Sequence, residues 1–260
     1  MRIVMMIIAL GAWLPIAPAL AQQADFEWEG ALAAGRTLEV MGVNGRIEAG
    51  PASGGTASVT ASKEAKRGAD PSEVTVEVTE HSGGVRICAV YPTRGGGRTT
   101  CDEDGVHGKI EDNHVQVDFT VTVPTGVHFV ARTVNGGIEA RSLRGDVRAT
   151  TVNGGVTVSG TGTVDAETVN GAIDATIGAN TWTGTLALET VNGAISVTLP
   201  ADVSAHVEAE TVNGGLSSDF PITMSAGRTW GPRRMEGTIG QGGGTLSLET
   251  VNGAIELKRG

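Results

Sequence analysis

One heptapeptide recurs in this chain and limits what the chain can fold into. The sequence Glu-Thr-Val-Asn-Gly-Ala-Ile occupies residues 167–173, 189–195 and 249–255. Relaxing the match to Val-Asn-Gly gives seven copies, and in six of them a Thr comes directly before the Val. The asparagines of the seven copies are Asn44, Asn135, Asn153, Asn170, Asn192, Asn213 and Asn252. Such a repeat indicates an architecture in which one structural unit recurs along the molecule.

Residues on both sides of each Asn-Gly alternate between apolar and polar, which is typical of a β-strand with one buried face. Around Asn192, the phase that we expect to face the core contains Leu186, Leu188, Thr190, Ile195, Val197 and Leu199. The other phase, which includes Glu189 and Val191, predicts a mainly polar outer face. Because Asn and Gly both tolerate positive φ, we expect a tight turn at each Asn-Gly.

The spacing of the asparagines matches the size of one coil of a small parallel β-solenoid. From Asn135 the steps are 18, 17, 22 and 21 residues, and then 39 residues to Asn252. Each ordinary step holds two strands of about five residues and two turns. The long step predicts a degenerate copy near residues 233–240. We therefore predict an all-β fold, a right-handed parallel β-solenoid or β-helix-like repeat array with an N-terminal β cap.

An antiparallel β-sandwich of hairpins fits the same alternation of apolar and polar residues. The near-identity of the repeats favours the solenoid, because matching Val-Asn-Gly units gain from stacking about 4.8 Å apart in ladders. A meander of hairpins gives no such reason for distant turns to be alike.

The N-terminus has the features of a cleaved secretory signal peptide over residues 1–21. Arg2 supplies a positive charge, residues 3–14 form an apolar run, and Ala19-Leu20-Ala21 provides a small-residue cleavage site. A membrane anchor is the alternative, but the apolar run is short for a span and two prolines follow it. We expect a periplasmic or secreted protein with no transmembrane segment after cleavage.

The repeat divides the remaining chain into two predicted regions. Residues 129–260 hold six of the seven copies and form the Val-Asn-Gly solenoid. Residues 24–128 hold one isolated copy among ordinary strands, and we interpret this region as a cap that closes an open end of the stack. The strands predicted there lie near residues 57–60, 74–78, 85–90 and 115–121.

Cys88 and Cys101 are the two cysteines of the chain, and they flank a Gly/Arg-rich loop. Export favours a disulfide between them over free thiols or metal ligands.

Charge narrows the partners that we expect. The formal net charge of −10 disfavours nucleic acid and anionic lipid surfaces, because both require a basic footprint. The remaining partner classes are an unidentified protein or an envelope polymer.

Two acidic features suggest cations without matching a known metal motif. The segment from residue 102 to 114 contains potential ligands in Asp102, His107, Glu111, Asp112 and His114, but their order fits neither an EF-hand nor a zinc helix. Four repeats also carry an acidic residue three positions before the Asn, at Glu167, Glu189, Glu210 and Glu249. For both features we favour solvation over a metal site, although a weak cation-binding face stays open for the row.

No catalytic or cofactor-binding residue is nominated by the sequence. The Gly-rich runs lack the Lys-Ser/Thr of a P-loop, and the five histidines lie in unrelated contexts. Few aromatic residues are present beside Trp28, Trp182 and Trp230, which argues against an aromatic sugar-binding groove. We therefore expect a protein that is not an enzyme and needs no cofactor.

The repeats make the chain similar to the bacterial DUF4097 family, whose members are typically exported, rich in Gly and Val, and labelled as adhesins. The resemblance rests on the Thr-Val-Asn-Gly-Gly/Ala-Ile/Val units, on residues 121–126 before the array, and on residues 239–244 before the last copy. It implies no reaction and assigns no functional residues.

Three functions follow as hypotheses. The first is a non-enzymatic exported protein that acts as an adhesive or structural surface of the cell envelope. The second is an envelope-stress sensor or regulator that binds a peptide or protein by strand addition. The third is a carbohydrate-active β-helix enzyme, which would need a cleft with perturbed carboxylates.

Overall fold

The computed structural model describes residues 25–110, 114–225 and 231–260. The predicted signal peptide and Trp230 lie outside these residues. The described part of the chain contains 23 β-strands, one 3-10 helix at Pro71–Glu73 and no α-helix. In chain order the strands are β1 Phe26–Ala31, β2 Thr37–Met41, β3 Ile47–Pro51, β4 Thr56–Ala65, β5 Thr75–His81, β6 Gly84–Val90, β7 Thr100–Asp102, β8 Gly105–His107, β9 Val115–Val123, β10 His128–Arg132, β11 Ile138–Leu143, β12 Val147–Asn153, β13 Val156–Gly160, β14 Val164–Asn170, β15 Ile173–Ile177, β16 Thr185–Asn192, β17 Ile195–Leu199, β18 Ala205–Asn213, β19 Leu216–Ser218, β20 Thr223–Ser225, β21 Arg233–Ile239, β22 Thr245–Asn252 and β23 Ile255–Arg259.

The strands form two large sheets and one small hairpin. Sheet A has ten strands in the order β1-β4-β9-β3-β11-β13-β15-β17-β23-β19. Sheet B has eleven strands in the order β20-β21-β18-β22-β16-β14-β12-β10-β2-β6-β5. The hairpin consists of β7 and β8.

Each coil contributes one strand to sheet B and one to sheet A, and the chain crosses between them at Val-Asn-Gly. Neighbouring coils pair in parallel with equivalent residues in register, so that Glu189 faces Glu249 and Ile195 faces Ile255. The parallel β-solenoid is therefore confirmed, and the antiparallel sandwich of hairpins is not the fold of this chain.

The core lies between the inner faces of the two sheets. Around Asn192, the residues predicted to face inward are all buried, namely Leu186, Leu188, Thr190, Ile195, Val197 and Leu199. Equivalent aliphatic residues of the other coils continue this core without interruption from Leu38 to Leu257. The alternation in the sequence thus assigns the inner face correctly.

The glycine of each motif allows close approach between neighbouring strands, and in six of the seven motifs it has no positive φ. Among the described glycines that follow the seven asparagines, only Gly45 has a positive φ, of 131°. A Cβ added to Gly193 would lie 1.8 Å from the carbonyl oxygen of Gly171, one coil away. The chain changes sheets at each motif, and only glycine leaves room at this corner for the neighbouring coil. The tight turn at each Asn-Gly stays a prediction.

The spatial order of the coils departs from the chain order at the C-terminus. The last coil, β22 and β23, lies between the coil of Asn192 and the coil of Asn213. β21 pairs antiparallel with β18 and belongs to no coil. The prediction of a degenerate copy near residues 233–240 is therefore wrong. These residues form β21, which pairs antiparallel with β18, and the next strand, β22, pairs with β16.

The isolated first copy is also a coil of the stack. β2 pairs in parallel with β10, and β3 pairs in parallel with β11. Beyond this coil β6 and β9 add one more parallel strand to each sheet, and β5, β4 and β1 follow in antiparallel pairing. The strands predicted between residues 57 and 121 are observed. The division at residue 128 stays a prediction, with residues 37–51 contributing to the repeat stack.

Cys88 and Cys101 form a disulfide in this N-terminal region. It attaches the β7–β8 hairpin to β6 above a small apolar cluster that contains Met41 and Val90. Closing a loop of this size stabilises a fold by about 3 kcal/mol on the chain-entropy model.

The close approach at the corners can be tested with Gly193→Ala. The added methyl group collides with the Gly171 carbonyl, so we expect the free energy of unfolding in urea to fall by about 1–3 kcal/mol. Gly215→Ala is the matched control, because a Cβ there meets no atom within 4 Å. This control should leave stability unchanged or raise it by about 0.4–1 kcal/mol. Equal stability of the two variants would contradict the stacking role of the motif glycine.

Candidate functional site

The seven motif asparagines form one continuous hydrogen-bonded ladder along the corner of the stack. Each side-chain Nδ2 donates to the Oδ1 of the preceding asparagine in space, over 2.8–2.9 Å. The spatial order is Asn44, Asn135, Asn153, Asn170, Asn192, Asn252 and Asn213. All six bonds have the same direction, so each can polarise the next. Because the same bond recurs between each pair of neighbouring coils, these side chains have a structural role in holding the stack together.

The motif threonines hold the same corner from inside. Thr190 is buried, and its hydroxyl donates to the carbonyl oxygen of Gly171 over 2.9 Å. The threonines of the other five Thr-Val-Asn-Gly copies make the equivalent bond to the neighbouring coil. The first copy has Gly42 in place of Thr, and there the Tyr91 hydroxyl donates to the Asn44 carbonyl oxygen over 3.3 Å. Burial raises the pKa of Tyr91 to about 12.

The motif valines form an apolar row on the outer face of sheet B. Five of them are between 36% and 45% exposed, in the spatial order Val152, Val169, Val191, Val251 and Val212. Their neighbours in the row cover part of each side chain, but no other element within the described residues covers the rest. Aligned exposed valines have no role in the core, and contiguous apolar surface of this kind marks interaction sites. We call these five residues the valine row.

An acidic row runs beside the valine row, two residues earlier on each strand. The sheet register aligns Glu167, Glu189, Glu249 and Glu210 in that order on neighbouring strands. Glu210 is paired with Arg234 over 2.8 Å, whereas within the described residues no basic side chain pairs with the other three. Partial burial raises the pKa of Glu189, and the neighbouring carboxylates of Glu249 and Glu167 raise it further.

A shallow groove of about 260 Å³ separates the two rows over four coils. Its walls are the carboxylates of the acidic row on one side and valines on the other, with the motif threonines between them. The arrangement can bind an elongated partner by charge and apolar contact, and it brings together no nucleophile and base. The sequence predicted the acidic row, whereas the valine row was signalled only by Val in the outward phase.

Most of these coils lie in a segment that matches a known protein family. Residues 132–258 match the family model described as Toastrack DUF4097. This part of the chain is therefore similar to the Toastrack DUF4097 family. A comparison with curated proteins found no match. Among solved structures, a protein from Clostridium sporogenes described as a "putative cell adhesion protein" is similar, with 13% identity, a TM-score of 0.47, and coverage of 90% of this chain and 99% of that chain.

The acidic segment from residue 102 to 114 lies outside the Toastrack match. Asp102 Oδ1 is 2.8 Å from His107 Nε2, and this hydrogen bond lowers the pKa of Asp102. Glu111 and Asp112 lie outside the described residues, and His114 directly precedes β9. Across residues 25–110, 114–225 and 231–260, no group of three or more His, Cys, Asp or Glu side chains is arranged to hold a metal ion.

The remaining histidines and tryptophans lie apart from one another. His81 is 3.4 Å from Glu39, His128 is 3.1 Å from Asp146, and His206 contacts Thr238. Trp182 is nearly buried within the segment that matches the Toastrack model, where its Nε1 donates to the Thr245 carbonyl oxygen over 3.2 Å. Trp28 lies on β1, at the other end of the stack. These tryptophans therefore line no common groove.

Partial burial of Glu189 and the like charges beside it predict that Glu189→Gln stabilises the protein at neutral pH. A raised pKa in the folded state means that Glu189 favours folding below its unfolded pKa and that this contribution is lost as pH rises through the folded pKa. Because the side chain is exposed, we expect a gain of about 0.2–0.5 kcal/mol. The gain should shrink as pH falls through the range in which carboxylates titrate.

Urea unfolding between pH 4 and pH 7.5 measures this difference. Glu27→Gln is the control, because Glu27 is exposed and faces Thr60 on the adjacent strand, not another carboxylate. A Glu189→Gln effect that is equal at all pH values, or matched by the control, would contradict the coupling within the row.

Proposed function

We propose that this chain is a non-enzymatic, exported protein of the cell envelope that acts by binding a protein or an envelope polymer. An adhesin or a structural interaction surface is the form of this function that we favour. The observation that carries the proposal is the valine row, an aligned apolar surface that contributes nothing to the core. The Toastrack family match is compatible with it.

Two features support export of the protein from the cytoplasm, namely the sequence pattern at the N-terminus and a disulfide bond. Residues 1–21 have the pattern of a signal peptide, and the Cys88–Cys101 disulfide is typical of proteins that fold outside the cytoplasm. No helix within the described residues has the length and hydropathy needed to cross a membrane.

Binding by strand addition is a second candidate, favoured by the end of sheet B. β5 pairs with β6 on one side and is the last strand of the sheet in the described part of the chain. It carries Val78, which is 39% exposed. An edge of this kind can accept an extended segment of a sensor's partner.

An enzymatic function finds less support. A glycosidase needs two carboxyl groups that flank a bound sugar, with different pKa values set by their surroundings. The carboxylates of the acidic row instead repeat at equivalent register positions along an open face.

Photo-cross-linking from single positions tests the binding proposal. A photoreactive amino acid at Val191 on the valine row is compared with one at Thr176, which is exposed on the opposite sheet. After export in the native host, we expect a discrete cross-linked product from Val191 and none from Thr176. A product from a third probe at Val78 alone would favour strand addition at β5. Products of equal yield from all positions, or from none, would refute a specific binding surface.

A further inference from the structure

We propose that the valine row and the acidic row together dock a basic amphipathic α-helix of a partner protein, lying along the stack axis. This inference rests on the proposed function and names the class of partner. The two rows run side by side across four strands, so the surface offers one apolar stripe and one negative stripe in parallel. A partner that matches both must carry an apolar stripe beside a basic one.

Charge selects the basic partner. Glu167, Glu189 and Glu249 are aligned on neighbouring strands, and none of the three forms an ion pair with a basic side chain of the described residues. Partial burial raises the pKa of Glu189, and repulsion from the neighbouring carboxylates raises it further; Lys or Arg side chains at the same spacing would relieve that repulsion. A second copy of this chain would instead place carboxylates against carboxylates if the same rows met.

Spacing selects the helix over an extended segment. Five valines on adjacent strands span four steps of about 4.8 Å, or about 19 Å. Four turns of an α-helix at about 5.4 Å cover about 22 Å, a difference that flexible Lys side chains can absorb. In an extended strand, residues on one face recur about every 6.7 Å, so four steps cover about 27 Å. The apolar and basic side chains of a helix can therefore contact both rows over the whole groove. The side chains of an extended segment would be about 4 Å out of line with the rows after two coils.

The separation of the two rows also suits a helix. Glu189 and Val191 are two residues apart on one strand, which places the rows about 6.7 Å apart. An α-helix with side chains is about 10 Å wide, so neighbouring faces of one helix can reach both rows. Helices that dock apolar grooves in this manner use anchors at i, i+3, i+4 and i+7.

Two synthetic peptides of equal composition test the proposal with the mature full-length protein. Each has about 16 residues, enough for four helical turns, and contains Leu, Ala and Lys. In the first peptide Leu recurs at helical spacing with Lys on the adjacent face, and in the second Leu and Lys alternate. Fluorescence anisotropy gives Kd, and circular dichroism reports helix formation on binding. We expect the helical peptide to bind at least about tenfold more tightly, with affinity that falls as salt rises.

Protein variants assign the binding to the two rows. Val191→Thr combined with Val251→Thr keeps the β-branched shape and should weaken binding of the helical peptide by about tenfold. Glu189→Gln combined with Glu249→Gln should weaken binding and reduce its salt dependence. Asp174→Asn, which removes a carboxylate from the outer face of sheet A, is the matched control and should leave Kd unchanged.

Equal Kd values for the two peptides, or an unchanged Kd in both double variants, would overturn the helix proposal. The cross-links from Val191 then separate the two levels of inference. If those cross-links persist, the proposed binding function stands with a different partner class. If they are also absent, the proposed function fails as well.

Discussion

The stack depends on one contact that recurs at each corner, where the carbonyl oxygen of a motif glycine meets the next coil. The Gly171 carbonyl accepts the Thr190 hydroxyl and lies where a Cβ on Gly193 would have to be. Thr, Asn and Gly are therefore parts of one arrangement. A side chain in place of the glycine would separate the coils, and the Thr hydroxyl and the Asn amide would lose their partners together. A buried hydroxyl left without an acceptor costs about 1–3 kcal/mol, and the corner repeats along the whole molecule.

This arrangement explains how much of the fold was available from the sequence. Alternation around Asn192 assigned the inner face correctly, because a two-residue period and burial are linked by strand geometry. Near-identity of the repeats favoured parallel stacking, because only stacked copies place like residues in contact. The close approach at the motif glycine was not predicted, because an Asn-Gly pair signals a tight turn from local propensity alone. Close approach of two carbonyl-bearing corners is a tertiary property that no single segment contains.

The order of the coils and the outer surface were less accessible from sequence. Nearly identical coils can exchange places in a stack at little cost in packing. The sequence around Asn252 therefore could not show that the coil of Asn252 lies beside the coil of Asn192. Four repeated Glu residues indicate the acidic row in the sequence. The sequence does not show that Arg234, on the antiparallel strand β21, pairs with only one of them. Valine at the outward position was visible in the sequence. Whether the outward valines are exposed depends on whether another element packs on the outer face of sheet B, which is a tertiary property.

The position of the last coil bears on how the protein is made. Repeat proteins can add one unit after another to a growing end as the chain is synthesised. Here that growth stops at the coil of Asn192, because the strand that belongs next to β16 is β22, near the end of the chain. The native pairing of β18 with β22 therefore requires residues 245–252, which are among the last to leave the ribosome. A chain that ends before residue 245 lacks the strand with which both β16 and β18 pair in the folded protein.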